Sequence, residues 1–153
     1  MAGALVGATL GPTTLELTRA DLVRYAGASG DFNPIHWSEA AAREADLPDV
    51  IAHGMLTMGR AIQVVVDWAG DPGAIVDYEV RFSRPVPVPA LGATVLLVEG
   101  KVTAVQQRVA EVALTVWHGD TKVLGRAQVR VDLSRVHTQS AHPTKSSFYR
   151  DPE

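Results

Sequence analysis

The chain has 153 residues, a length that suits one domain with a sizeable core, and 46% of them are hydrophobic against 20% charged. That balance excludes a disordered chain, a collagen and a coiled coil. The net charge of -3 provides no basic field for nucleic acid or an anionic membrane. The absence of cysteine removes disulfides, thiolate chemistry and cysteine-based zinc sites.

The first ten residues are apolar but carry no basic flank, and Gly3, Gly7, Gly11 and Pro12 interrupt them. This reads neither as a signal peptide nor as a membrane span, which would need about 18 apolar residues. A cytoplasmic protein is expected. Residues 14–17 suit a short strand. Thr18 and Asp21 have capping-box spacing, predicting a helix through Ala28 that stops at Gly30. Residues 31–36 contain Pro34, which disfavours helix at Asn33, so a loop is expected there. Ser38 should cap a second short helix over 39–45.

His53-Gly54 opens a predicted long helix over 55–69, apolar nearly all round and including Trp68 as a core residue. The β-branched run Val64 to Val66 weakens that helix. Gly70 is its expected stop. From residue 75 the pattern has period two. In the strand over 75–82, Val76, Tyr78, Val80 and Phe82 should share one face. Further strands are expected over 94–105, 108–117 and 123–133, with a hairpin turn at His118-Gly119-Asp120. Pro85, Pro87 and Pro89 mark an exposed or irregular crossing. The arrangement predicted is α+β, an antiparallel sheet curled around one central helix. Residues 1–133 form its single domain. Residues 134–153 have no repeated apolar spacing and read as a mobile polar tail, in which Phe148-Tyr149 could dock on a surface. His137 and His142 lie there without a carboxylate beside them and make a poor metal pair.

Two segments carry candidate chemistry. Asp31, Asn33 and His36 place an acid, an amide and an imidazole within six residues. Such a group can divide acid and base roles near neutral pH, although an Asx turn beside a surface histidine has the same spelling. Gly54, between His53 and Met55, leaves backbone N–H groups open to a ligand at a helix start, or is simply that start.

Taken together, these segments resemble the MaoC-like (R)-specific hydratase/dehydratase family of the hot-dog fold. The resemblance rests on Tyr25, Ser29, Gly30, Asp31, Asn33, Pro34, Ile35, His36 and Ala42, with Ala28 where the family usually has a larger apolar residue or glycine. The stretches 33–37, 51–59, 70–74 and 80–82 are similar to HadB-type catalytic subunits of (3R)-hydroxyacyl-ACP dehydratases. The resemblance covers about residues 5–133 and leaves the tail outside.

It implies reversible dehydration of a (3R)-3-hydroxyacyl thioester, carried on ACP or CoA, to the trans-2-enoyl thioester in acyl-chain metabolism. Asp31 and His36 are the implied catalytic pair, His36 as base at C2 and Asp31 as proton donor to the hydroxyl. Gly54, with Asn33, Met55 and His53, is the implied oxyanion and substrate-binding group. No metal or redox cofactor is implied. The implied partner is a second hot-dog subunit, identical or different. A hot-dog thioesterase, or a non-catalytic acyl-binding subunit, would share the fold but would not need the Asp31/Asn33/His36 group.

Overall fold

The computed structural model describes residues 5–137. Strand β1 (Thr9–Leu17) is longer than its sequence pattern suggests, and its register on the neighbouring strand shifts between Leu10 and Thr13. That irregularity at Gly11-Pro12 hides the first half of the strand from a period-two reading. Helix α1 (Arg19–Ser29) starts as predicted: the Thr18 hydroxyl accepts from Asp21 N–H, and the Thr18 backbone N–H donates to the Asp21 carboxylate at 2.8 Å. Gly30 ends it in the left-handed region, at φ 76°. The expected loop contains a 3₁₀ turn, Pro34–His36, before helix α2 (Glu39–Glu44), which Ser38 caps.

The predicted single long helix is two, α3 (Gly54–Ala61) and α4 (Gln63–Ala69), meeting at Ile62. Ile62 and Val64 to Val66 crowd this junction with branched side chains that fit a helix poorly. The pair is also not apolar all round. Thr57, Ala61, Val64, Val65 and Ala69 are buried, whereas Met55 is exposed and Trp68 is only half-buried. Gly70 closes α4 with φ 72°.

A second 3₁₀ turn, Pro72–Ala74, leads into β2 (Ile75–Phe82). The meander continues as β3 (Thr94–Gln106), β4 (Val109–His118), the two-residue β5 (Thr121–Lys122) and β6 (Leu124–Asp132). The sheet order is β1-β3-β4-β6-β2, antiparallel throughout, with β5 on β4. Strict alternation on β3 and β4 turns Leu96, Val98, Val102, Val112, Leu114 and Val116 into one core with Val65 and Ala69 of α4. Each fully buried Val or Leu stabilises the fold by about 1.5–3 kcal/mol.

Strand β2 departs from its predicted face. Register shifts at both ends leave Tyr78 and Val80 half-buried but Val76 and Phe82 about half exposed on an edge strand. Burial raises the Tyr78 phenol above its ordinary pKa, and its hydroxyl donates to Met58 O, tying β2 to α3. The proline crossing is irregular, and it is exposed only in part: Pro85 is exposed, whereas Val86 and Val88 are buried. It runs antiparallel to residues 50–52: Ala52 N–H donates to Val86 O and Val88 N–H to Val50 O, each at 2.8 Å.

The chain beyond Leu133 is also not free at its start. His137 N–H donates to Ala69 O at 2.9 Å, Arg135 pairs with Asp71 at 3.1 Å, and Val136 packs on the core. The rest of the expected tail, with His142 and Phe148-Tyr149, lies outside the described residues. Among the described residues no helix is long and apolar enough to cross a membrane.

Candidate active site

The loop after α1 is built by short polar side chains that replace missing backbone bonds. Ser29 Oγ donates to Tyr25 O and accepts from Asp31 N–H. Asn33 N–H donates to Asp31 Oδ1, and Ile35 N–H donates to Asn33 Oδ1, each at 3.2 Å. These are two successive Asx turns. Asn33 therefore orients the Asp31 carboxylate through its backbone, while its side-chain oxygen caps the 3₁₀ turn.

That turn drives His36 inward to 8% exposure. His36 Nδ1 lies 2.8 Å from Ile51 O. A carbonyl only accepts, so Nδ1 carries the proton and Nε2 presents a lone pair. Nε2 is 3.8 Å from Asp31 Oδ2, too far for a direct hydrogen bond. Asp31 is half exposed, so the pair has one dry and one wet member.

The second segment meets the first through a backbone bond. Ile51 N–H donates to Ile35 O. Arg19 at the start of α1 clamps that second segment to the proline crossing: Nε donates to Val88 O at 2.6 Å and a terminal nitrogen contacts Asp49 at 2.7 Å. Helix α3 then points its first turn at the site. His53 is its N-cap without a side-chain cap bond, which leaves the first N–H groups, Gly54 among them, unclaimed by that side chain. Met55 is exposed. His53 is 1% exposed, with Nε2 3.1 Å from Asp31 O and its ring stacked on His36 at 3.8 Å between centroids.

His36 and Gly54 line a cavity of about 360 Å³. Its apolar wall comes from Ile51, Val86, Val123 and Leu124, with Phe82 and Arg84 also lining it. Asp31, Asn33, Met55 and His53 lie outside that lining. Phe82 is the residue that sequence reasoning missed. A Cβ on Gly54 would stand 3.0 Å from its ring, so the glycine exists where an aromatic face covers the helix start. The sequence signals were an aromatic at a strand end and its place in the 80–82 stretch that resembles HadB-type subunits. Asp31, His36 and His53 offer ligand atoms within 4.8 Å of one another. His36 Nδ1 and His53 Nε2 are spent on carbonyls, however, which leaves one nitrogen on each ring.

The family described as "MaoC like domain" matches residues 3–121, more than half of the chain. The chain belongs to the MaoC-like family. The chain is 34% identical over 122 residues to the 3-hydroxybutyryl-CoA dehydratase of Methylorubrum extorquens, covering 76% of this chain and 74% of that protein. It is 45% identical over 76 residues to "3-hydroxyacyl-thioester dehydratase X" of Mycobacterium tuberculosis, which is half of this chain but only 26% of that protein. A solved "MaoC-like dehydratase" superposes with a TM-score of 0.80 at 43% identity, over 83% of this chain and 40% of that one. The (R)-hydratase of A. caviae shares the fold at TM-score 0.73 and 23% identity. The antiparallel sheet around α3 and α4 is thus the MaoC-like hot-dog. This chain spans well under half the length of the mycobacterial relative and of the solved dehydratase.

Proposed function

We propose that this MaoC-like chain catalyses the reversible dehydration of (3R)-3-hydroxyacyl thioesters to trans-2-enoyl thioesters. The observation that carries the reading is the 3.8 Å gap between Asp31 Oδ2 and a proton-free His36 Nε2, beside an apolar cavity with Gly54 at its rim. At this spacing the two groups reach adjacent substrate carbons from one side, His36 the hydrogen on C2 and Asp31 the hydroxyl on C3.

In the dehydration direction His36 Nε2 takes the C2 proton and the C2–H pair forms the C2–C3 double bond. The C3–O bond breaks as Asp31 gives its proton to the leaving oxygen, and water departs. One proton has then moved from Asp31 to His36, and it returns through a bridging water. Hydration runs the same steps backwards. The thioester carbonyl gains negative charge as C2 loses its proton. Gly54 N–H, with the α3 dipole behind it, is the donor placed to hold that charge. This chemistry needs no metal or redox group, because the thioester itself acidifies C2.

The acyl chain is assigned to the cavity of Ile51, Val86, Val123 and Leu124, and the carrier is coenzyme A or an acyl carrier protein. We also propose that the working unit is a pair of hot-dog chains. Strand β2 is an edge with Val76 and Phe82 exposed, and pairing removes such an edge. Solved relatives of the same fold include the ChsH1-ChsH2 complex and the HadBC complex, which supports a second hot-dog subunit here.

The test is hydration of crotonyl-CoA and of longer 2-enoyl thioesters on both carriers, with light scattering on the same fractions. Asp31→Asn and His36→Ala should each lower turnover by about 100-fold, the size of one acid or base contribution. Near-normal turnover in either folded variant overturns the assignment, and an active monomer overturns the pairing.

A further inference from the structure

The mechanism leaves His53 unused, although it is the most deeply buried titratable group beside the site, at 1% exposure. Its Nε2 faces Asp31 O at 3.1 Å and must donate to it, because a carbonyl offers no proton. Its Nδ1 is then a lone pair, buried and with no partner among the described residues. A purely space-filling position would favour an apolar side chain over such an orphan. The ring is held between two others: His36 stacks on it at 3.8 Å and 23°, and Tyr25 tilts against it at 4.8 Å.

We infer that His53 is a positioning residue that sets the gap between Asp31 and His36, touching neither the substrate nor the reacting atoms. The inference rests on the Asp31/His36 reading above. His53 holds both partners at once, one by a hydrogen bond to its backbone and the other by its face. The His36 ring makes one hydrogen bond, from Nδ1 to Ile51 O, and a single bond allows it to pivot. The stack removes the pivot. The Asp31 carbonyl lies 22 residues from its donor, so this bond ties the catalytic loop to the start of α3, where Gly54 stands. Acid, base and carbonyl donor are thereby held in one frame.

Misplacing a reacting group by about 1 Å costs on the order of 100-fold in rate. His53→Phe keeps a ring to stack on His36, removes the orphan nitrogen and removes the donor. His53→Gln places an amide N–H near the position of Nε2, whereas His53→Asn cannot reach Asp31 O. With crotonyl-CoA as probe, His53→Phe should lose about 10- to 100-fold in kcat with KM within about 3-fold, at unchanged or higher melting temperature. His53→Gln should exceed His53→Asn by about 10-fold in kcat. A role in stability alone would move the melting temperature and leave kcat per folded chain untouched. Wild-type kcat in His53→Phe, or equal kcat in His53→Gln and His53→Asn, overturns the inference. The latter pair decides if His53→Phe does not fold. Asp31→Asn is measured alongside. Its failure to lose turnover overturns the site reading itself, whereas its loss beside a wild-type His53→Phe overturns the His53 role alone.

Discussion

Gly54→Ala isolates the start of α3 from the rest of the site. The added Cβ would stand 3.0 Å from Phe82 Cδ1 and Cε1 and 3.2 Å from Cζ. Ordinary carbon contacts lie at about 3.5–4.0 Å, so the ring must give by roughly half an ångström or more. Phe82 is 48% exposed and has room to move, so the strain stays at the low end of the about 1–3 kcal/mol typical of overpacking. Gly54 has no positive φ, and the loss of chain freedom on replacing it returns about 0.4–1 kcal/mol. The net stability change is therefore below about 1 kcal/mol, a shift of a few degrees in Tm at most. Activity should respond far more. Removing a donor to a developing oxyanion costs about 100- to 1,000-fold. A methyl group that crowds the donor while a displaced ring narrows the cavity should cost about 10- to 100-fold in kcat/KM. The assay is hydration of crotonyl-CoA by Gly54→Ala, Phe82→Leu and the double variant, with thermal melting of each. The double variant should recover part of the loss, because a smaller side chain no longer opposes the Cβ. Wild-type kcat/KM in Gly54→Ala would refute the assignment of this helix start to the thioester carbonyl. A double variant no better than Gly54→Ala would refute the part given to Phe82.

Thr18→Ala removes a capping box that α1 needs to start, and should cost about 1 kcal/mol, seen as a Tm lower by about 2–4 °C. Asp21, Asp71 and Asp132 are all held below the ordinary 3.8, chiefly by hydrogen bonds from Thr18, Gly73 and Ser134. Folded values below unfolded ones mean that their stabilisation is fully present above about pH 4 and is lost as pH falls through the folded values. Melting curves between pH 6 and pH 2.5 should show that fall, and a Tm that held or rose on acidification would contradict it. A chain ending at Leu133 should melt several degrees below one ending at His137, since only the longer one keeps the His137–Ala69 bond, the Arg135–Asp71 pair and the packing of Val136. Equal melting would show that residues 134–137 add nothing to the fold.

Local chemistry was legible in the sequence because it acts within one turn of chain. Thr18 with Asp21, Ser38, Gly30 and Gly70 all stand where the structure starts or stops a helix. The loop from Asp31 to His36 was readable for the same reason: its Asx bonds span two residues each, so spacing alone brings acid and base near. Period two placed β3, β4 and β6 to within a residue or two, since both faces of a half-buried strand are written into alternate positions.

Tertiary structure decided what depends on partners far along the chain. Whether β2 is central or at an edge is not a property of its residues, and its edge position leaves Val76 and Phe82 exposed where alternation promised burial. The proline crossing reads as surface by composition, yet Val86 and Val88 are buried because residues 50–52 pair with them. The break at Ile62 follows from branched side chains competing with a helix whose two halves pack on different neighbours. Within the site, the sequence named His53 but could not say what it touches, because Asp31 O lies 22 residues away and the His36 ring 17. Phe82 lies 28 residues from Gly54, and their contact exists only once β2 has paired with β6. Chain spacing encodes the groups that share a turn, and only the closed sheet brings together those that share a cavity.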